Sequence, residues 1–327
     1  MRLVAEAEGV PLYAPESAYL SFCNSPYVGH RRASAVDVYP HHSTWNGPCY
    51  SPCAGRVTQV RRLKMGKPKE FPTADDDYAI GLQPYGFEDL RVRILHCDPR
   101  VDLGDDVERG DFLGELLRSR FFNYWTGPHY HVEIVQKAYF NRSRMSSLLK
   151  LDLPSIEYEA TDCGNELSCE IQKVTSDVVV CICHDSPEAH AGELFGHLAL
   201  TTEGQALGIL DGGIPHYTQG CVIGGQPEKS SIQSGSSVMA WNEMIGNGIR
   251  VSSSRFQYET NDSLYVSLDN IPLRGLSCYV FTARQKIKGH VPLVCIPERY
   301  NSLSGRFRQG DMVTMRIEDA GNATKDR

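Results

Sequence analysis

No run of apolar residues in this 327-residue chain is long enough to cross a bilayer as a helix, so a helical integral membrane protein is excluded. Lysine and arginine form no block beyond pairs such as Arg31-Arg32 and Arg61-Arg62, and the formal charge is −7. That balance argues against nucleic acid as the main partner. Heptad and solenoid periods are missing too, which removes coiled coils and repeat arrays. The first nine residues carry Glu6 and Glu8 where a secretion signal needs an apolar core, so no export signal is expected. The eleven cysteines are odd in number, dispersed, and often sit in apolar runs such as residues 178–183. They read as buried, reduced thiols, and the expected compartment is the cytoplasm.

What is present is an ordinary globular composition, 41% apolar and 22% charged, in a chain long enough for two domains. Short β-type runs at residues 35–39, 55–61, 78–82, 90–96 and 130–136 alternate with glycine and proline turns, as a mainly β architecture requires. Residues 64–77, with Gly66, Pro68, Pro72 and Asp75-Asp76-Asp77, read as a mobile loop. A short helix is expected over residues 141–151, ending near Pro154. The boundary is placed there, giving domains 1–153 and 154–327. The second half reads as strands between polar turns, including residues 226–237 and the Asp211 to Tyr217 turn, and is expected to be an all-β accessory domain.

The most informative stretch is Pro128-His129-Tyr130-His131-Val132-Glu133-Ile134. In an extended strand, residues two apart face the same side, so His129, His131 and Glu133 converge. Upstream, His30 lies in what reads as a loop, and Asp37 interrupts the apolar run Ala35-Val36-Val38. A carboxylate buried among such neighbours needs a cation or a donor network. Two imidazoles and a carboxylate on one face are a donor set suited to metal-assisted hydrolysis.

Four segments, in order, give the chain a family resemblance. His30 to Asp37 resembles the pattern Ser-x-His-x-x-Gly-x-Ala-x-Asp, with Val28 at the serine and Ala33 at the glycine. Ser51-Pro52-Cys53-Ala54-Gly55-Arg56-Val57 resembles an Ala-Pro-x-x-Gly-x-Val turn. Ile94-Leu95-His96, followed by Gly104-Asp105-Asp106-Val107 and Gly110 to Gly114, resembles a Tyr-x-His-Leu strand with its glycine-bounded hairpin. His129-Tyr130-His131-Val132-Glu133 resembles His-x-His-Phe-Glu. Over about residues 20–136 the chain thus resembles the lysostaphin-type zinc metallopeptidases.

That resemblance implies a duplicated hybrid motif forming an antiparallel β-sheet groove. It implies one Zn2+ per chain held by His30, Asp37 and His131, with His41 and His42 as other candidates for the first ligand. His96 and His129 would be catalytic, and Glu133 would orient a ligand histidine through its second ring nitrogen. The implied substrate is a peptide, or a peptidoglycan-like cross-bridge amide.

Two other cysteine and histidine clusters carry possible metal donors. Cys181-x-Cys183-His184, with His190 and His197, fits no zinc module cleanly and reads first as buried thiols on a strand. Cys49 and Cys53, after His41 and His42, read as structural. Two further hypotheses stand beside the peptidase: a zinc-containing binding module without turnover, and a carrier-like barrel suggested by the Gly104–Gly114 hairpin. For a carrier, Lys64 lies on the wrong side of that hairpin.

Overall fold

β-Branched and aromatic residues between glycine and proline turns build strands, and the chain is mainly β as its composition suggested. The computed structural model describes residues 1–41, 44–159, 163–224 and 235–320. It divides into two units: Met1–Phe22 with Tyr27–Leu151, and Cys23–Pro26 with Asp152–Arg327.

The first unit begins with the strands β1 (Arg2–Ala7), β2 (Val10–Ala14) and β3 (Tyr19–Ser21), then the helical turn α1 (Val28–Arg31). Next come β4 (Ala35–Tyr39), β5 (Pro48–Tyr50), β6 (Gly55–Lys64), β7 (Asp76–Pro84) and β8 (Leu90–Leu95). The unit closes with β9 (Cys97–Pro99), β10 (Asp106–Val107), β11 (Phe112–Leu116) and β12 (Tyr130–Gln136). Its main sheet runs β10-β6-β7-β8-β12-β4-β3. β4 and β8 flank β12 antiparallel on either side, with His131 opposite Asp37 on one and Leu95 on the other. Six of the seven β12 residues are buried, so both of its faces are covered.

Two expectations for this unit are corrected. Residues 141–151 form only the single 3-10 turn Ser143–Met145, because the segment pairs instead: Ser147 N–H bonds Ile134 O and Lys150 exchanges bonds with Glu6. The segment read as a mobile loop ends inside β7, and Asp77 is 1% exposed.

In the second unit, β13 (Glu157–Tyr158), β14 (Glu166–Val174), β15 (Val179–Cys183), β16 (Glu188–Ala191) and β17 (Leu194–Leu200) come first. β18 (Ala206–Ile214), β19 (Gln219–Ile223), β20 (Ser236–Ala240), β21 (Glu243–Ser252) and β22 (Arg255–Thr260) follow. The last are β23 (Leu264–Leu268), β24 (Ile271–Cys278), β25 (Phe281–Thr282), β26 (Pro292–Pro297) and β27 (Met312–Asp319). Pairing β17-β20-β21-β22-β19-β18 returns to β17, and β24-β23-β27-β14-β15-β26 returns to β24. Two closed six-stranded rings are therefore joined through the β18–β24 pairing. Closure removes the unpaired edges that an open sheet of this size would expose. Leu167, Leu210, Phe256, Leu276 and Met315 belong to the continuous core of these rings. The turn read over residues 226–237 falls mostly outside the described residues.

The cysteines depart from the all-thiol expectation. Cys169 and Cys183, opposite each other on β14 and β15, form a disulfide, as do Cys23 and Cys221. Burial was legible from the apolar runs, but cross-strand register, which decides whether two sulfurs meet, was not. With disulfides present, cysteine usage no longer supports a reducing compartment. No helix among the described residues is long and apolar enough to cross a membrane.

Within this unit His197 is fully buried, its Nδ1 3.0 Å from Ser186 Oγ, which also accepts the Trp241 indole N–H at 2.8 Å. Burial lowers its pKa to about 4, and that of His216 to about 3. Unfolded histidines take up protons near pH 6.5, so between about pH 6.5 and 4 the unfolded chain binds more protons and stability falls as acid is added. The expected loss from His197 is on the order of 3 kcal/mol by about pH 4. Urea unfolding of the wild type and His197→Gln across that range checks it: the acid loss should shrink in the variant, and equal slopes would refute the assignment.

Candidate metal centre

Four neighbouring strands of the first unit deliver the polar groups. β4 supplies Asp37, β12 supplies His131 and Glu133, His129 directly precedes β12, His96 directly follows β8, and Asp77 is the second residue of β7. α1 contributes His30, in a helical turn where the sequence suggested a loop. Gly29 allows that turn to approach β12, because a Cβ there would overlap Glu133 Oε1 and crowd the Ala35 Cβ.

The three expected ligands come together. His131 Nδ1 lies 2.7 Å from Asp37 Oδ1, His30 Nε2 lies 3.1 Å from the same oxygen, and the two nitrogens are 3.2 Å apart. All three residues are almost completely buried. Zinc bonds of about 2.0–2.2 Å to nitrogen and oxygen need donors only slightly further apart than this, so the set fits that ion. Of the other candidates for the first ligand, His41 is exposed and His42 lies outside the described residues.

The outer nitrogens of the imidazoles meet acceptors, which leaves the inner ones for the centre. His30 Nδ1 faces Phe22 O at 2.8 Å, and His129 Nδ1 faces Gly127 O at 2.9 Å. His131 Nε2 is 3.0 Å from Glu133 Oε1, in contact though not in hydrogen-bond alignment. Glu133 is therefore no solvated carboxylate. It is fully buried, ion-paired with Arg93, and accepts a hydrogen bond from Ser146 Oγ at 2.9 Å.

His96 and His129 lie beside the triangle, their ring centroids 5.6 Å apart, and His129 Nε2 is 3.6 Å from Asp37 Oδ2. Phe122 packs on both rings, at 4.4 and 4.8 Å. Asp77, which sequence reasoning missed, holds His96 Nδ1 at 2.7 Å and accepts the Tyr78 N–H at 2.7 Å. A signal was available: continuing the alternation of residues 78–82 back one step makes Asp77 part of the strand. Tyr27, missed as well, lays its ring against His131 at 5.4 Å.

Burial alone would raise the Asp37 carboxyl, but the charges of His30 and His129 and hydrogen bonds from His131 and His30 hold it well below the usual range. Burial likewise opposes ionisation of Asp77, and His96, Ser119 and the Tyr78 N–H overturn it. Burial lowers His131 to about 3 and also lowers His129. The centre thus sets an ionised Asp37 carboxylate beside His131 and His129, whose protonated forms burial disfavours, and metal ligation calls for a neutral imidazole.

Cys49 and Cys53 are buried free thiols and take no part in the triangle. In the second unit, Cys183 is engaged with Cys169, while His184 and His190 are partly exposed and pair with Glu170 and Glu157 at 3.9 and 3.7 Å. The sequence cluster Cys181-x-Cys183-His184 therefore does not converge as one donor set.

A family model described as a domain of unknown function, the DUF8155 N-terminal domain, matches residues 12–153, under half of the chain. No curated protein matches. Among solved structures, a single-residue variant of the catalytic domain of the prophage-encoded M23 protein EnpA from Enterococcus faecalis is 17% identical. It covers 38% of this chain and 86% of its own, with a TM-score of 0.26. The solution structure of lysostaphin is 12% identical over 58% of this chain and 86% of its own, with a TM-score of 0.25. A zinc-containing peptidase from Vibrio cholerae is 24% identical over 47% of this chain, with a TM-score of 0.25, and the match spans 41% of that protein. Likeness this slight decides nothing about chemistry, and the donor geometry must carry the functional reading.

Proposed function

We propose that the first unit is a zinc-dependent peptidase that hydrolyses a peptide amide, of free-peptide or cell-wall cross-bridge type. The observation that carries this reading is the donor triangle of His30, Asp37 and His131, with edges of 2.7 to 3.2 Å, flanked by two imidazoles outside it. Zinc held by these three donors would supply Lewis acidity and a bound water with its pKa brought towards about 7.

The chain's own groups divide the remaining work. His129 donates its Nδ1 proton to Gly127 O and turns Nε2 towards the Asp37 side, and burial disfavours its charged form. It is placed to accept the proton of an attacking water. His96 has a different support, because the Asp77 carboxylate holds its Nδ1 at 2.7 Å and fixes the ring. It is placed to hold a proton at Nε2 for the developing oxyanion or the departing amine. Phe122 covers both rings on one side and limits water there.

Metal analysis of protein purified without added zinc, followed by peptide-library hydrolysis, tests the reading. His129→Ala should keep about one equivalent of zinc and lose on the order of 10²–10⁴-fold in kcat. Asp77→Asn should behave similarly, since it removes the carboxylate that holds the His96 ring at Nδ1. Zinc retention with no hydrolysis by the wild type would replace this reading with that of a binding module.

A further inference from the structure

The interior of the second unit gathers sulfur in a way its structural role does not demand. Cys181 and Cys183 are two residues apart on β15, so both point to one face, and the register of β14 sets Cys169 directly across from Cys183. On the other side of β15, β26 brings Cys295 Sγ to 3.6 Å from Cys181 Sγ. The sulfurs of Cys169, Cys181 and Cys183 all lie within 4.8 Å of one another, and all four residues are at most 1% exposed. Three adjacent strands of one closed ring therefore gather three cysteine sulfurs, with a fourth, Cys295, reaching the group through Cys181. Elsewhere that ring is filled by residues such as Leu167, Leu276 and Met315.

We infer that the reduced second unit binds one thiophilic divalent ion, such as Zn2+, through Cys169, Cys181, Cys183 and Cys295, and that the Cys169–Cys183 disulfide excludes it. Four thiolates at about 2.3 Å from zinc stand about 3.8 Å apart, close to the Cys181–Cys295 separation of 3.6 Å. For the set to close, the Cys169–Cys183 bond must open and the Cys295 side chain must turn towards the two freed thiols. A dithiol reductant supplies two electrons and two protons to that bond and leaves as its own disulfide. Uptake of the divalent ion by the four thiols then releases four protons. Cys181 Sγ sits 3.7 Å from Leu293 O, and the hydrogen bond with Cys181 together with burial raises the Cys295 thiol well above its ordinary value, so an ion is needed to draw its proton off. This site is independent of the donor triangle in the first unit, which has no sulfur ligand.

Cobalt(II) distinguishes the two, because thiolate ligation gives near-ultraviolet charge transfer and imidazole–carboxylate ligation does not. Full-length protein would be reduced with dithiothreitol, desalted without oxygen and titrated with Co2+. The expected result is charge transfer saturating at one equivalent per chain in reduced protein and no such band in unreduced protein. Cys181→Ser and Cys295→Ser should lose most of the intensity, whereas Cys49→Ser in the first unit should keep it. If reduced wild type shows no charge transfer, shows it equally before reduction, or keeps it in Cys181→Ser, the inference fails. The comparison of reduced with unreduced wild type needs no variant to fold, and failure here leaves the peptidase reading untouched.

Discussion

Protein carrying Asp37→Ala should come through purification with less than about a tenth of an equivalent of zinc, its affinity weakened on the order of 10³-fold or more. Asp37 contributes the only charge in a donor set otherwise made of neutral imidazoles, and both other ligands touch its Oδ1, at 2.7 and 3.1 Å. Removing it leaves His30 and His131 facing a divalent cation with no anionic ligand. Asp37→Asn keeps the shape and loses the charge, and should fail nearly as badly. Thermal unfolding separates lost metal from lost fold. An ion that binds only the folded state at 1,000 times its Kd adds about 4 kcal/mol, so chelator should lower the wild-type Tm by several degrees. The same chelator should leave Asp37→Ala unmoved. One equivalent of zinc persisting in that variant, measured by atomic emission, would remove the donor triangle from the account.

The parts of this centre that were legible in the sequence are those set by spacing along one strand. His129, His131 and Glu133 follow from period-two alternation, and Asp37 stands out as a charge inside an apolar run. His30 was harder, since a four-residue helical turn leaves little periodic signal. Groups brought together by pairing between strands were legible only where the family resemblance named them, as for Asp37, His96 and His131. Asp77 was hidden in an acidic triplet whose other members bond outward, Asp75 to Arg120 and Asp76 to Arg62. Only the register of β7 on β8, which sets Ala79 against Leu95, shows that Asp77 reaches His96. Arg93 likewise reads as one polar residue in an alternating strand until β12 lays Glu133 across from it. The ring closures and the Cys169–Cys183 bond are hidden for the same reason: each depends on contacts between segments that the local pattern leaves free to pair in many ways.

The Arg93–Glu133 pair supplies the largest expected effect on stability. Arg93 bonds Glu133 Oε2, Ser143 Oγ at 2.8 Å and Phe140 O, while Glu133 also takes Ser146 Oγ and faces His131 Nε2. Burial pulls the Arg93 guanidinium down to about 10, so it still carries its charge at neutral pH. Arg93→Met would leave a fully buried carboxylate with only a hydroxyl and an imidazole to answer it. Loss of one partner of such a pair typically costs about 3–5 kcal/mol, and urea unfolding of metal-free protein should show a loss of that size. Adding Glu133→Gln should recover most of it, because the stranded charge and not the missing arginine carries the penalty. The double variant should nonetheless bind zinc about 10–100-fold more weakly than wild type, since Glu133 no longer fixes the His131 ring. Stability and metal affinity are thus expected to separate: the second substitution restores one and not the other. If Arg93→Met costs less than about 1 kcal/mol, the carboxylate has found water or a proton, and the buried pair does not hold the ligand histidine in place.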